Sequence, residues 1–131
     1  MEISERNPTF LRITILGGFI SAGETVPARL ENLPEREIGF NLCLEQEYER
    51  WTGERWIAHE VAREGTCTLE VNTISPGETL LHDVGIGVRS LAPGIYRIAF
   101  GSVEWGLHEP EGGEALPKKD RTSNSVHVRS G

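Results

Sequence analysis

The segment from Leu91 to Phe100 constrains the fold of this chain more than any other. It contains a Pro-Gly turn followed at once by a run that alternates apolar and other residues. Pro93 presets φ for a turn, and Gly94 is able to adopt positive φ. A tyrosine that starts a strand after such a turn, here Tyr96, is typical of a tyrosine corner. In that motif the tyrosine ring is buried, and its hydroxyl group forms a hydrogen bond with the connecting backbone of a two-sheet sandwich.

The length and composition predict one globular domain. The chain has 131 residues, of which 37% are hydrophobic and 25% charged. Such a chain is long enough to bury a core without metals or many disulfides, and its composition is that of a soluble globular protein. We therefore expect one domain over 1–131, with its core over about 10–129 and a long polar loop over 106–124.

The charge argues against nucleic acid as a partner. Thirteen Lys and Arg residues stand against twenty Asp and Glu, which gives a net charge of −7. A phosphate backbone would be repelled overall, because affinity for nucleic acid depends on clustered basic side chains. The densest basic group, Lys118, Lys119 and Arg121, is small and contains Asp120.

Membrane insertion is not expected, whereas the compartment stays open between two alternatives. No run approaches the roughly 18 apolar residues of a spanning helix, and the segment 1–6 does not resemble a signal peptide. Either the protein is cytoplasmic, or an export signal was removed and Met1 took its place.

The two cysteines bear on the compartment. Cys43 and Cys67 fit no zinc-binding spacing, so they are a disulfide candidate or two free buried thiols. A disulfide closing this loop would stabilise the fold by about 3 kcal/mol. It would also favour an oxidising, extracytoplasmic location.

Short β-rich runs separated by turn signals dominate the chain, and helical periodicity is nearly absent. This pattern predicts an all-β sandwich or barrel. The predicted strands cover residues 10–16, 24–31, 38–51, 55–58, 66–71, 79–84, 94–103 and 125–129.

An ordered set of motifs resembles bacterial immunoglobulin-like (Big-type) domains of secreted and envelope proteins. It consists of Gly39-Phe40-Asn41 with Glu45, Gly53 with Trp56, Pro76-Gly77-Glu78, the segment 91–97 and the closing segment 123–128. The resemblance implies an immunoglobulin-like antiparallel β-sandwich of about seven to eight strands. It also implies a spacer or adhesion-like module outside the cytoplasm that carries no catalytic activity. Such domains often place an aromatic residue in the last strand, where this chain has Val126 and His127.

No residue pattern predicts catalysis, a metal or a cofactor. The chain lacks a Gly-x-Ser-x-Gly motif, and its four histidines fall on four different elements. His82-Asp83 and His108-Glu109 each place an imidazole beside a carboxylate, a pair that suits a metal only if two such pairs converge. Glu45, Glu47 and Glu49 alternate along one strand, which is typical of a solvated face rather than of a glycosidase.

The candidate binding surface comprises Trp51, Trp105, His108 and Glu109. Trp51 and Trp105 lie near turn or loop boundaries, where an exposed ring contacts a partner or stacks on a sugar. We expect Trp56 to pack in the core beside its hairpin. We expect Arg97, on the face opposite Tyr96, to form an ion pair with a strand glutamate.

These observations favour a non-enzymatic interaction or spacer module that binds an unknown protein or glycan partner. Binding would use an exposed sheet face or the 106–124 loop, because a rigid sandwich holds its loops in place. Two alternatives stay open. One is an inhibitor that inserts the 106–124 loop into the cleft of a protease or other enzyme. The other is a carbohydrate-binding accessory domain that uses Trp51 and Trp105.

Overall fold

The computed structural model describes residues 10–17, 19–21, 24–33, 36–59, 71–86, 91–105 and 114–129. Within them no helix is long and apolar enough to cross a bilayer. The elements of this part of the chain are β1 (Leu11–Ile15), β2 (Phe19–Ser21), β3 (Thr25–Asn32), β4 (Ile38–Phe40), β5 (Gln46–Trp51), β6 (Trp56–His59), β7 (Asn72–Ile74), β8 (Thr79–Gly85), β9 (Gly94–Phe100), β10 (Val103–Trp105), β11 (Glu114–Ala115), a 3-10 turn (Lys118–Asp120) and β12 (Val126–Arg129).

The strands form three sheets. A five-stranded sheet has the order β2-β12-β9-β5-β6, a three-stranded sheet the order β1-β3-β8, and a four-stranded sheet the order β11-β10-β4-β7. Between these strands every pairing is antiparallel except that of β2 with β12.

One hydrophobic core joins the sheets. Alternate residues point inward in strands such as β3, where Val26, Ala28 and Leu30 are buried whereas Thr25, Pro27 and Arg29 are exposed. These side chains share a single cluster with Tyr96 and Ile98 of β9. The fold is therefore an immunoglobulin-like antiparallel β-sandwich, which confirms the fold class predicted from the sequence.

The strand predicted over 38–51 is divided in two by a turn. The Asn41 side-chain oxygen accepts a hydrogen bond from the Cys43 amide at 3.0 Å. The Gln46 side chain donates to the Leu42 carbonyl at 2.8 Å. These side chains satisfy backbone groups that a continuous ladder would otherwise pair, so β4 ends and β5 begins anew. The partner strand breaks as well, at Gly101, where a β-carbon would collide with the Glu45 side chain.

The second half of the predicted 106–124 loop is docked on the sandwich and contains β11 and the 3-10 turn. The Asp120 carboxylate is buried and accepts a hydrogen bond from the Phe10 amide at 2.8 Å. The Arg121 side chain donates to the Leu116 carbonyl at 3.1 Å. Residues 106–113 lie outside the described residues, as do residues 66–70 of another predicted strand.

Candidate functional site

Tyr96 has the geometry of a tyrosine corner. Its ring is buried at the start of β9, and its hydroxyl donates a hydrogen bond to the Ala92 carbonyl at 2.8 Å. Burial raises the pKa of the Tyr96 hydroxyl, and the positive charge of Arg50 opposes that shift. The corner therefore holds a neutral phenol that ties β9 to the preceding turn.

The glycine of this turn has a different role from the one expected. Gly94 does not adopt positive φ. It is instead a point of close approach, because a β-carbon there would lie 2.9 Å from Nε of Arg50. The same Arg50 donates to the Pro93 carbonyl at 3.0 Å, so the guanidinium packs along the turn and holds it against β5.

A row of aromatic and aliphatic residues crosses the outer face of the five-stranded sheet. The strand register pairs Phe19 with His127, His127 with Ile95, and Trp51 with Trp56. Ile95 is one position beyond the paired Tyr96 and Arg50, so the register places it opposite Trp51. Opposed residues point to the same face of a sheet. We call these five residues the aromatic row.

The aromatic row is open to solvent at its β2 end. The Phe19 side chain is 65% exposed, and its ring contacts the exposed His127 ring with centroids 5.0 Å apart. Trp51 and Trp56 are partly buried, with centroids 5.4 Å apart and ring planes tilted by 56°. The row therefore places aromatic or aliphatic side chains on all five strands of this sheet, on the face turned away from the core.

Beside the row, an ion pair covers one tryptophan. Arg97 donates to the Glu49 carboxylate at 2.7 Å, which confirms the cross-strand pair predicted for Arg97. The Arg97 guanidinium also lies over the Trp56 ring, 4.6 Å from its centroid, in a cation–π contact. Lys118 approaches the second oxygen of Glu49 at 3.8 Å. The charges on this part of the face are therefore mutually compensated.

The structure describes two of the four residues of the predicted binding surface, Trp51 and Trp105. Trp51 lies in the aromatic row. Trp105 lies in β10, and His108 and Glu109 are outside the described residues. The prediction that Trp56 packs in the core is wrong. Even positions of β6 share the outer face with odd positions of β5, so Trp56 packs against Trp51 and Arg97 instead.

The disulfide candidate stays a prediction. Cys43 lies in the turn between β4 and β5, whereas Cys67 is outside the described residues.

The described residues contain no cluster suited to a metal. No three His, Cys, Asp or Glu side chains converge among them. His82 and Asp83 are neighbours in β8 and point to opposite faces, and the His82 ring packs edge-on against Phe40. Adjacent strand residues of this kind cannot share one ion.

An open cleft of about 500 Å³ lies along β5 and borders the Arg97–Glu49 ion pair. Its walls carry mixed charge, and Glu49 in it is already paired with Arg97. The cleft is lined by Gln46, Glu47, Tyr48, Glu49, Ala58, His59 and Lys118.

The sequence analysis missed Phe19, which is 65% exposed. The residue lies in a three-residue strand, directly after Gly17 and Gly18, where the sequence indicates only the end of β1. Its outward direction follows from the parallel pairing of β2 with β12, and a pairing between segments more than 100 residues apart has no local signal.

Comparisons with known proteins give a fold likeness and no family. No protein-family model matches the sequence, and no curated protein matches it. A similar solved structure is the ASH / PapD-like domain (PapD-like domain 7) of human CEP192. It shares 18% identity, with a TM-score of 0.42, over 99% of this chain and 92% of that chain. The fold assigned above depends on this chain's own strand pairing and core.

Proposed function

We propose that this protein is a non-enzymatic interaction module whose protein partner docks on the outer face of the five-stranded sheet. The aromatic row is the observation that carries this proposal. Phe19 leaves 65% of its surface in water, although a polar residue there would cost the fold little. Aromatic residues are enriched at the centres of protein interfaces, because their large rigid surfaces lose little entropy on binding.

The rigidity of this face supports the same proposal. The row lies on β-strands, and Tyr96 and Arg50 hold the turn before β9 by two hydrogen bonds to its carbonyls. A surface that is ordered before binding loses less conformational freedom when a partner docks. The sheet therefore suits recognition better than a mobile loop would.

The proposed location is the bacterial cell envelope or exterior. It is supported by the resemblance to secreted immunoglobulin-like domains and by the two cysteines, which we propose to be disulfide-bonded. A thiol count on denatured, unreduced protein tests this. Zero free thiols supports pairing of Cys43 with Cys67 and export, whereas two free thiols argues for a reducing compartment.

The loop-mediated inhibitor receives less support than the sheet face. Residues 114–124 are docked on the sandwich through Asp120 and Arg121, so this part of the segment is not available for insertion into an enzyme cleft. A carbohydrate-binding role is also less supported, because Trp51 and Trp56 are tilted by 56° and do not form a flat platform.

Differential capture from extracts of the source cells tests the docking face. The immobilised wild-type protein is compared with Phe19→Ala and with Leu81→Ala. Leu81 is a matched control, because it is 63% exposed and lies on the outer face of the other sheet. We expect a protein that is retained by wild type and Leu81→Ala and lost by Phe19→Ala. Equal retention by all three proteins would refute the proposed face.

A further inference from the structure

We infer that the outer edge of strand β8 pairs with the same strand of a second copy of this chain. The two strands would run antiparallel about a two-fold axis at Leu81 and join two three-stranded sheets into one sheet of six strands. The inference goes beyond the proposed function, because this edge belongs to the other sheet from the aromatic row. It is carried by the backbone geometry of β8, by the position of its open groups and by two exposed leucines.

Alternate backbone groups of β8 point away from the sheet. This strand is the last one in the order β1-β3-β8, so within the described residues it has a paired strand on one side only. The Ile86 amide donates to the Glu24 carbonyl at 2.9 Å, and the Asn32 amide donates to the Glu78 carbonyl at 3.0 Å. Even-numbered positions of β8 therefore direct their N–H and C=O groups toward β3, and odd-numbered positions direct theirs outward.

The outward groups are bounded at both ends of the strand. Gly85 is the last odd-numbered position, and its carbonyl already accepts a hydrogen bond from the Gln46 side chain at 2.9 Å. At its other end β8 begins directly after a turn. The open positions between these limits are Thr79, Leu81 and Asp83. Backbone groups in this spacing are satisfied in sequence by a second extended strand.

The opposite edge of the same sheet is covered by side chains, which shows what β8 lacks. The Asp120 carboxylate accepts a hydrogen bond from the Phe10 amide at 2.8 Å. The Asn124 side chain accepts one from the Ile15 amide at 2.7 Å and donates one to the Ile15 carbonyl at 3.1 Å. The segment 120–124 thus satisfies outward groups of β1. On β8 the described part of the chain provides such a cap at Gly85 alone.

Two leucines are exposed along the edge of β8. Leu81 points away from the core and leaves 63% of its surface in solvent. Leu80 is paired with the buried Leu30 and therefore points toward the core, yet it is 36% exposed. The strand contains no lysine, arginine or proline, the residues that commonly protect an edge from pairing. A further strand at this edge would cover both leucines.

A second copy of β8 matches the open groups in number and position. The three open positions are centred on Leu81, so an antiparallel copy places Leu81 opposite Leu81 of the partner subunit and Thr79 opposite Asp83 of the partner subunit. Each of these pairs exchanges two hydrogen bonds, about six in all. Asp83 then faces a neutral residue, so no like charges are opposed. The strand is already extended in each copy, which lowers the entropy lost on pairing.

The size of the contact predicts a weak dimer. One pair of strands buries less than the roughly 1,200 Å² of a standard stable interface. The net charge of −7 on each copy adds repulsion. We therefore expect association in the micromolar range or weaker, and we expect salt to strengthen it by screening that repulsion.

Sedimentation equilibrium from low micromolar to submillimolar concentration tests the inference. We expect the wild type to show a monomer–dimer equilibrium. Leu81→Lys places two like charges opposite each other at the axis, and so does Leu81→Glu. Each variant alone should dimerise at least about fivefold more weakly than wild type. An equal mixture of the two should associate more tightly than either variant alone, because opposite charges then meet across the axis.

Thr25→Lys and Thr25→Glu are the matched controls. Thr25 is exposed on the outer face of the same sheet, but it lies in the central strand β3, away from the axis. Each control should dimerise like wild type, and their mixture should gain nothing over the separate variants. Phe19→Ala should also dimerise like wild type, since the aromatic row is on the other sheet.

Amide hydrogen exchange of the wild type gives a second test that needs no variant. In dilute protein the outward amides of Thr79, Leu81 and Asp83 should exchange rapidly, whereas the amides of Leu80 and His82 should be protected by β3. In concentrated protein the three outward amides should gain protection, because the second copy then accepts their hydrogen bonds.

Four outcomes would overturn the inference. The first is a wild type that stays monomeric at every concentration. The second is a dimer that Leu81→Lys leaves intact or that Phe19→Ala abolishes, since another surface would then be the interface. The third is a mixture of Leu81→Lys and Leu81→Glu that is no tighter than its components, which contradicts an axis at Leu81. The fourth is protection of the outward amides in dilute protein. None of these outcomes affects the proposed docking face, and Leu81→Ala, which keeps every backbone group of the edge, leaves the aromatic row unaltered.

Discussion

The outer faces of the two main sheets differ although their inner faces are alike. On the three-stranded sheet, Arg12 and Arg29 both approach Glu31, at 3.7 and 3.8 Å, in a solvated charge network. On the five-stranded sheet the aromatic row crosses all five strands beside the Arg97–Glu49 ion pair, with Phe19 at its open end. Burial constrains the inward positions of both sheets to be apolar, whereas an outward position is free to serve function.

The largest loss of stability is expected from substitutions in the core, and these test whether the inner faces of the two sheets belong to one core. Leu30→Ala in the three-stranded sheet and Ile98→Ala in the five-stranded sheet should each lower the free energy of unfolding by about 3 kcal/mol, because both residues are fully buried in one core. Urea denaturation measures this. Arg29→Ala is the exposed control and should cost less than about 0.5 kcal/mol. A small loss for only one of the two core variants would contradict a shared core.

The next effect concerns the corner that stiffens the five-stranded sheet. Tyr96→Phe keeps the ring and removes the hydrogen bond to Ala92, so we expect a loss of about 1 kcal/mol. Because burial raises the pKa of Tyr96, the unfolded state ionises first as pH rises above 10.0, and the folded state loses stability there.

Denaturation at neutral pH and above pH 10.0 separates the two contributions. The difference in stability between wild type and Tyr96→Phe should shrink as the pH rises, because the variant lacks the ionising group. Tyr48→Phe is the control, since the Tyr48 hydroxyl bonds a side chain, Gln46, rather than a turn. A pH-independent difference would contradict a buried neutral phenol at Tyr96.

The two outer faces should also differ in the strength of their ion pairs. A double-mutant cycle on Arg97 and Glu49 should give a coupling of about 1 kcal/mol, since the pair is short and partly buried. The same cycle on Arg12 and Glu31, longer and more exposed, should give about 0.3 kcal/mol. Both couplings should weaken in salt. Equal couplings would remove this difference between the faces.

The smallest effect on stability is expected at Phe19 and Leu81, whose side chains lie largely in solvent. Phe19→Ala and Leu81→Ala should each change the free energy of unfolding by less than about 0.5 kcal/mol, because little of either side chain is buried. Thermal denaturation measures both. A loss well above this for Phe19→Ala would show that Phe19 stabilises the packing of β2 on β12. This structural role would then explain the exposed ring without a binding partner.

Much of the fold was predicted correctly from local patterns in the sequence. Alternation predicted β3 almost to its ends, and the turns at Pro76 and Pro93 predicted where β8 and β9 begin. The interruptions were missed, because they depend on contacts between strands. The break falls at Gly101, where the Glu45 side chain, 56 residues away in the sequence, occupies the space that a β-carbon would need.

The candidate site was less predictable than the fold. Trp51 was chosen because it precedes a turn, and Arg97 was correctly paired with a strand glutamate from alternation alone. The direction of Trp56 could not be deduced, because it depends on the register of the hairpin from β5 to β6. Phe19 needed the pairing of β2 with the last strand of the chain.

Strand alternation and turn chemistry predicted an all-β fold and the turn on which Tyr96 closes, because these signals act within a few residues. The pairing of distant strands was needed to show that Phe19, His127, Ile95, Trp51 and Trp56 form one row. A shift of one residue in any strand pairing turns a side chain to the opposite face. The composition of a sheet face is therefore a property of register, which is set by contacts between distant parts of the chain.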